Sequence, residues 1–211
     1  MKLTVTTFLS LDGVMQGPGG PTEDPRNGFD LGGWMPAHAD NEFRTHMDRI
    51  FDQVDAFLLG RRTFEIFAGF WPRVTDPDNT AATRLNALPK HVVSSTLTDP
   101  AWANSTVIAG DLGGAVQALK DQPGRELQVH GSGRLARALH DLGLVDEWNL
   151  WTFPVVLGKG QRLFSEGASP TGFEVKAHHV IPTGATLTTL VPTGPAGTVD
   201  ITIVDGEEAV T

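Results

Sequence analysis

Two short segments of the chain combine glycine, hydroxyl and arginine residues in an order that suits phosphate binding. In the first, an apolar run ends at Gly60 and is followed by Arg61, Arg62 and Thr63, where a helix is predicted to begin. In the second, residues 129–135 read Val-His-Gly-Ser-Gly-Arg-Leu, which again predicts a strand, a glycine turn and a helix. The first N–H groups of a helix are free to bind an anion, and arginine adds a planar charged donor. Two such junctions predict a ligand with several phosphates, such as a dinucleotide.

A third segment, residues 89–97, ends a short apolar run with the hydroxyl side chains of Ser94, Ser95 and Thr96. These hydroxyls could bond a ribose phosphate, or they could form an ordinary Ser/Thr turn. Each glycine junction taken alone also has an alternative, in which the glycine only closes a turn. Residues 131–133 do not match the G-x-G-x-x-G pattern of a Rossmann fingerprint. Because strand ends at one edge of a parallel sheet tend to share a ligand crevice, we expect the three segments to meet.

Two acidic residues are candidates for proton transfer to a ligand or for its orientation. Asp40 lies in the helix predicted over residues 37–53, about 60° from the centre of the apolar stripe at roughly 100° per residue. It is the acid nearer to a buried pocket, although the helix dipole alone also favours a carboxylate at a helix start. Asp12 is the other candidate, and its alternative is to cap the turn that follows it.

Three aromatic residues, Trp34, Phe67 and Trp71, could line a pocket for a flat ligand, or they could pack in the core. The seven histidines show no spacing typical of metal ligands. His178 and His179 are neighbours on a predicted strand, so their side chains point to opposite faces and do not share an ion. We therefore predict no metal site.

Apolar runs alternate with amphipathic segments over most of the chain, which predicts an α/β architecture. Strands are predicted over residues 2–10, 55–59, 90–94, 105–108, 126–130 and 147–156, with a late pair at 173–181 and 185–191. Helices are predicted over residues 37–53, 62–68, 79–87, 112–120 and 132–141. The long segment that contains Gly13 and Gly17 lacks a regular pattern, which predicts either a mobile loop over a ligand or a disordered excursion.

Composition narrows the class of protein further. The 211 residues fit one domain over residues 1–192 and an extension over residues 193–211. In the extension, residues 198–204 alternate like an edge strand or a strand that pairs with another subunit, and residues 205–211 are expected to fray. The net charge of −9 argues against nucleic-acid or membrane partners, and the absence of cysteine excludes disulfides and thiolate chemistry. The N-terminus does not resemble a signal peptide, so we expect a cytoplasmic protein.

Taken in order, the motifs resemble those of the dihydrofolate reductase superfamily over roughly residues 2–192. They are Ser10-Leu11-Asp12-Gly13, Leu59-Gly60-Arg61-Arg62-Thr63-Phe64-Glu65, Val92-Val93-Ser94-Ser95-Thr96-Leu97 and Gly131-Ser132-Gly133-Arg134-Leu135. Asp146-Glu147 and residues 154–164 are similar to the RibD C-terminal branch, the reductase domain of bacterial riboflavin biosynthesis. One departure is Gly131-Ser132, where members of the superfamily often carry Gly-Gly.

The resemblance implies a three-layer α/β/α fold with a mainly parallel sheet, antiparallel C-terminal strands, bound NADPH and a homodimer. It assigns the 2′-phosphate and pyrophosphate of NADPH to Arg61, Arg62 and Thr63 beside Gly60. It assigns the ribose phosphate to Ser94 and Ser95, and the pyrophosphate at a helix start to Gly131, Ser132, Gly133 and Arg134. The loop with Gly13 and Gly17 would cover the nicotinamide.

The resemblance also implies an activity. We expect an NADPH-dependent reductase that transfers hydride to a small nitrogen heterocycle or a related carbonyl or imine. The substrate would be similar to that of 5-amino-6-(5-phosphoribosylamino)uracil reductase, with Asp12 or Asp40 in proton supply or substrate orientation. Trp34, Phe67 and Trp71 would line the substrate pocket. The alternatives are a dihydrofolate reductase activity or a non-catalytic NADP(H)-binding protein.

Overall fold

The computed structural model describes residues 1–204 and 207–210, and residues 205, 206 and 211 lie outside the described part. Within it there are five α-helices: α1 (Asn41–Asp52), α2 (Arg61–Phe70), α3 (Thr80–Ala87), α4 (Leu112–Lys120) and α5 (Gly133–Asp141). The ten strands are β1 (Lys2–Ser10), β2 (Val54–Gly60), β3 (Lys90–Val93), β4 (Ser105–Ile108), β5 (Glu126–His130), β6 (Glu147–Phe153), β7 (Thr171–Val180), β8 (Thr186–Pro195), β9 (Ile201–Val204) and β10 (Glu207–Val210).

Eight of the strands form one sheet in the order β4-β3-β2-β5-β1-β6-β8-β7. Strands β1 to β6 pair in parallel, whereas β8 pairs antiparallel with both β6 and β7. The predicted sheet, mainly parallel with antiparallel C-terminal strands, is therefore confirmed. Parallel pairing brings the carboxyl ends of β1, β2, β3 and β5 to one edge, because parallel strands share a direction.

Apolar side chains alternate between the two faces of the central strands and build a core on each side. On β2, Phe57 and Leu59 join the cluster under α1, α2 and α3, while Ala56 and Leu58 join the cluster under α4 and α5. The helices cover both faces because each buries one apolar stripe, such as Phe43, Met47 and Phe51 on α1. The sheet lies between two helical layers, so the predicted α/β/α arrangement is confirmed.

Several element boundaries differ from those predicted. Helix α1 begins at Asn41, four residues after the predicted start at 37, because Asp40 caps it and residues 36–38 form a separate 3₁₀ turn. Strand β6 ends at Phe153 and not at residue 156, because the next residue, Pro154, lacks the N–H that a central strand needs. Strand β8 continues to Pro195, beyond the predicted domain boundary at residue 192.

The extension after residue 195 does not join the main sheet within the described residues. Strand β9 pairs antiparallel with β10, with Val204 opposite Glu207, in a separate two-stranded sheet. Residues 207–210 are therefore paired and are not the frayed end that we expected. Among the described helices, none combines the length and the apolar character that a bilayer crossing requires. The expected homodimer stays a prediction.

Candidate functional site

A cleft of about 1170 Å³ opens at the sheet edge where β1, β2, β3 and β5 end. All three segments singled out in the sequence line it, which confirms the expectation that they meet. The predicted cofactor-binding residues in its wall are Gly17, Gly60, Arg61, Arg62, Thr63, Ser94, Ser95, Gly131, Ser132, Gly133 and Arg134. Residues 72 positions apart in the chain therefore contribute to one concave surface.

A hydrogen bond joins the two glycine junctions directly. The Gly60 N–H donates to the Ser132 Oγ over 2.9 Å. A Cβ placed on Gly60 would lie 3.2 Å from that oxygen, and one placed on Gly131 would lie 3.8 Å from the side chain of Thr63. The contact is tight at Gly60, where a side chain would crowd Ser132, and ordinary at Gly131, where glycine instead permits a φ of 68°. The hydroxyl of Ser132 holds the two junctions together.

The starts of α2 and α5 differ from those of the other three helices because no side chain caps them. Helices α1, α3 and α4 are capped by side chains of Asp40, Asn79 and Asp111, each accepting a backbone N–H of its own first turn. Helices α2 and α5 have no such cap, since Gly60 has no side chain and the Ser132 Oγ binds Gly60. Their first N–H groups therefore remain free for an anion in the cleft.

The first two residues of α2 are arginines whose side chains extend in different directions. The Arg61 guanidinium donates to Glu65 Oε1 over 2.7 Å and also contacts the hydroxyl of Thr96. On the other side, Arg62 Nη2 lies 3.5 Å from the backbone oxygen of Glu23 and 4.0 Å from Asp24 Oδ1. The two cations therefore extend from one helix start toward both walls of the cleft.

The hydroxyl run after β3 forms a turn and lines the cleft at the same time. The Ser94 Oγ accepts the N–H groups of Thr96 and Leu97 over 3.2 and 3.0 Å. Ser94 and Ser95 both belong to the cleft wall. The Ser/Thr turn and a position in the cleft wall therefore occur together, and the contact with a ribose phosphate stays a prediction.

The long loop before α1 is ordered around Gln16. Its Nε2 donates to the backbone oxygens of Asp24 and Arg26 over 3.0 and 3.1 Å, and its Oε1 accepts the N–H of Gln161. Gly17 follows with a φ of 57° and lines the cleft. A disordered excursion is therefore the wrong alternative, and the loop forms one wall of the cleft. Gly13 closes a tight turn and lies outside the wall.

Asp12 lies outside the cleft wall and connects two distant loops. Its carboxylate accepts the Ser10 hydroxyl over 2.7 Å and the N–H groups of Leu157 and Gly158 over 3.1 and 2.9 Å. These hydrogen bonds, led by that of Ser10, hold the pKa of Asp12 well below its usual range. A carboxylate with a lowered pKa carries no proton near neutral pH, so Asp12 is not suited to act as a general acid.

Asp40 and Trp34 also lie outside the cleft wall. The Asp40 carboxylate accepts the Phe43 N–H over 2.8 Å at the start of α1. Trp34 is buried against Phe153 and donates its indole N–H to the backbone oxygen of Gln16 over 2.9 Å. Trp34 therefore supports the loop from the core and does not line the cleft. Phe67 and Trp71, by contrast, line the cleft, with ring centroids 6.1 Å apart.

His130 lines the cleft but was not among the residues selected from the sequence. It ends β5 directly before Gly131 and is only 8% exposed. Burial lowers its pKa to about 4, because a low-polarity environment disfavours the charged imidazolium. Its position at the carboxyl end of a central strand, next to the glycine turn, was the signal that could have identified it.

An open, mainly parallel sheet between helical layers, with a cleft at its carboxyl edge, defines a dihydrofolate reductase-like α/β protein. Dihydrofolate reductase from Enterococcus faecalis, solved with NADP(H), superimposes with a TM-score of 0.58 and 15% identity over 91% of this chain and 96% of its own. A protein assigned to riboflavin biosynthesis from Shewanella sp. PV-4 superimposes with a TM-score of 0.71 and 24% identity, covering 92% and 99% of the two chains.

The family model of the RibD C-terminal domain matches residues 1–187, so the chain belongs to that family. The recognition made from the sequence motifs is therefore confirmed. A relative in the same size range, the uncharacterized protein YyaP of Bacillus subtilis (strain 168), is 29% identical over 166 residues. That alignment covers 77% of this chain and 80% of YyaP.

Proposed function

We propose that this protein is an NADPH-dependent reductase that transfers hydride to a small nitrogen heterocycle or a related carbonyl or imine. Its membership in the RibD C-terminal family supports a reductase of the riboflavin-pathway type. The observation that carries the proposal is the pair of helix starts, α2 and α5, that lack side-chain caps and face one cleft. A dinucleotide has the separated phosphates that two such sites would bind.

The residues of the cleft fit the phosphates of NADPH. Arg61, Arg62 and Thr63 at the start of α2 would hold the 2′-phosphate, for which the planar guanidinium is suited. The backbone of residues 131–134 at the start of α5 would hold the pyrophosphate, since Gly131, at a φ of 68°, has no side chain to block the approach. Ser94 and Ser95 would face the adenosine ribose.

The remaining cleft surface suits a flat heterocycle. When bound, the reduced nicotinamide would supply the hydride. Phe8, Phe67 and Trp71 offer apolar ring surfaces to a planar substrate, and the loop at Gly17 would cover the nicotinamide and exclude water. The reduction also consumes one proton, which solvent at the mouth of the cleft would supply, because the Asp12 and Asp40 carboxylates both bind backbone N–H groups outside the cleft wall.

The test is a fluorescence titration with NADPH and with NADH, followed by turnover measured at the nicotinamide absorbance band. The substrates are 5-amino-6-(5-phosphoribosylamino)uracil and 7,8-dihydrofolate. We expect tighter binding of NADPH than of NADH and oxidation of NADPH with the uracil compound. Turnover of dihydrofolate alone would instead indicate a folate reductase. NADPH binding without turnover of either compound would indicate a non-catalytic binding protein.

The variant Arg62→Ala tests the phosphate assignment. A hydrogen bond to a charged group contributes about 1.5–3 kcal/mol, so NADPH affinity should fall by about 10-fold or more while NADH affinity changes little. Arg84→Ala is the matched control, because Arg84 in the middle of α3 pairs with Asp52 at 3.2 Å and does not line the cleft. Equal NADPH affinity in the two variants would contradict the assignment.

A further inference from the structure

The imidazole of His130 has a buried nitrogen without a hydrogen-bond partner. Among the described residues, no donor or acceptor contacts its Nδ1, which is shielded from solvent. Such a nitrogen is unusual, because burial removes its contact with water and folded proteins normally replace that contact with a hydrogen bond. The neighbour of His130 in register, Thr6 on β1, also has a buried hydroxyl without a partner.

Aromatic rings hold the imidazole in place around its remaining sides. Phe51 stacks on it with a centroid distance of 5.4 Å and an interplanar angle of 26°. Phe8 meets it edge-on at 5.6 Å, and Phe67 lies at 5.7 Å. Phe8 and Phe67 line the cleft together with His130. The packed rings fix the orientation of the imidazole, and the cleft is the side from which a ligand can reach it.

The protonation state of His130 suits the recognition of the uncharged ring edge of a heterocycle. Because burial lowers its pKa to about 4, the ring is neutral at physiological pH. A neutral imidazole has one N–H donor and one acceptor nitrogen, whereas the surrounding phenylalanines have neither. The ring edge of a uracil or a pteridine offers complementary N–H and C=O groups.

Building on the proposed function, we infer that His130 is the substrate-recognition residue of the cleft. A ring nitrogen of His130 forms a hydrogen bond with the polar edge of the heterocycle, while Phe8 and Phe67 contact its apolar surface. Removal of this hydrogen bond should weaken substrate binding and leave the phosphate contacts at residues 60–63 and 131–134 intact. The protein should therefore prefer heterocycles with a polar edge over apolar aldehydes of similar size.

The test compares His130→Phe and His130→Gln with the wild type. Phenylalanine retains the stacking on Phe51 and removes both nitrogens, whereas glutamine restores a donor and an acceptor. We expect His130→Phe to raise the KM for 5-amino-6-(5-phosphoribosylamino)uracil by about 10-fold or more. His130→Gln should recover part of this loss, and the NADPH dissociation constant should stay within about twofold. His91→Phe is the matched control, since His91 on β3 is partly buried outside the cleft wall.

The outcomes separate this inference from the proposed function. An unchanged KM in His130→Phe overturns the inference, and so does a selective loss of NADPH affinity, which would assign His130 to the cofactor. Absence of turnover by the wild type with either substrate overturns the proposed function.

A second measurement tests the inference when His130→Phe does not fold or when the wild type shows no turnover. The ¹⁵N signals of the His130 ring are recorded in NADPH-saturated wild-type protein before and after addition of the uracil compound. A shift of the His130 signals supports the inference, and unchanged signals overturn it.

Discussion

Two substitutions of Ser132, which contacts Gly60, separate the effect of a lost hydrogen bond from the effect of relieved backbone strain. Ser132 has a φ of 61° and a ψ of 60°, a left-handed conformation that costs an ordinary L-residue about 1–2 kcal/mol. Its hydroxyl meanwhile accepts the N–H of Gly60 over 2.9 Å. Ser132→Ala removes the hydroxyl and keeps the strained backbone, whereas Ser132→Gly removes the hydroxyl and relieves the strain.

The two variants should differ in stability. Loss of the hydrogen bond costs about 1 kcal/mol in both, because the net contribution of such a bond is about 0.5–1.5 kcal/mol. In Ser132→Gly, relief of about 1–2 kcal/mol of strain exceeds the extra unfolded-state entropy of glycine, about 0.5–1 kcal/mol. Ser132→Gly should therefore be close to the wild type, and Ser132→Ala should be destabilised by about 1 kcal/mol. For a domain of this size the corresponding loss of Tm is about 2–4 °C.

Differential scanning calorimetry of the three proteins, without and with NADPH, provides the assay. Both variants lose the link between the two helix starts, so both should bind NADPH more weakly than the wild type by a similar factor. Equal Tm values for Ser132→Ala and Ser132→Gly would refute the argument that backbone strain is stored at this position. An unchanged NADPH affinity in both variants would refute the argument that the Ser132 hydroxyl aligns the two phosphate sites.

Two further predictions concern pH. The Ser10 hydroxyl is the main cause of the lowered pKa of Asp12 in the folded state. The contribution of Asp12 to stability is therefore present above about pH 4 and is lost as the pH falls. Asp12→Asn should flatten the decrease of Tm in acid, and an unaltered decrease would contradict this role of Asp12. Burial lowers the pKa of Lys90 to about 8, so the unfolded chain binds more protons than the folded one between pH 8 and about pH 10.5. The free energy of unfolding should therefore rise with pH in this range. Lys90→Met should remove the rise in urea titrations, and a rise that persists in the variant would assign it to another group.

The sequence predicted the parts of the fold that local pattern controls. Helix α4 was predicted over residues 112–120 and occurs at those residues, because an amphipathic pattern is a local signal. The roles of Asp12 and Asp40 were not decided by local pattern. Asp12 contacts Leu157, which is 145 residues away, and no spacing rule connects the two. Asp40 acts as an N-cap, so the helical-wheel angle that assigned it to a pocket does not apply to its side chain.

Local sequence pattern also failed to identify His130 as a residue of the site. The sequence identified β5 and the glycine turn after it, but a single histidine at the end of an apolar run does not reveal what surrounds it. Its environment is built by Phe8 of β1, Phe51 of α1 and Phe67 of α2, three elements distant in the chain. Only their packing lowers its pKa and makes it a candidate for substrate recognition.

An acidic chain can still present a positive cleft, because the carboxylates nearest to it are already engaged. Asp24 lies 4.0 Å from Arg62, but both of its oxygens accept hydrogen bonds of 2.6 Å from Arg26. The Glu23 carboxylate binds the N–H groups of Gly19 and Gly20 in the same loop. Arg62 therefore remains available to an anion, and the free N–H groups at the starts of α2 and α5 add to its attraction. The net charge of −9 still predicts that extended polyanions such as nucleic acid do not bind, while this local arrangement favours a small ligand with separate phosphates.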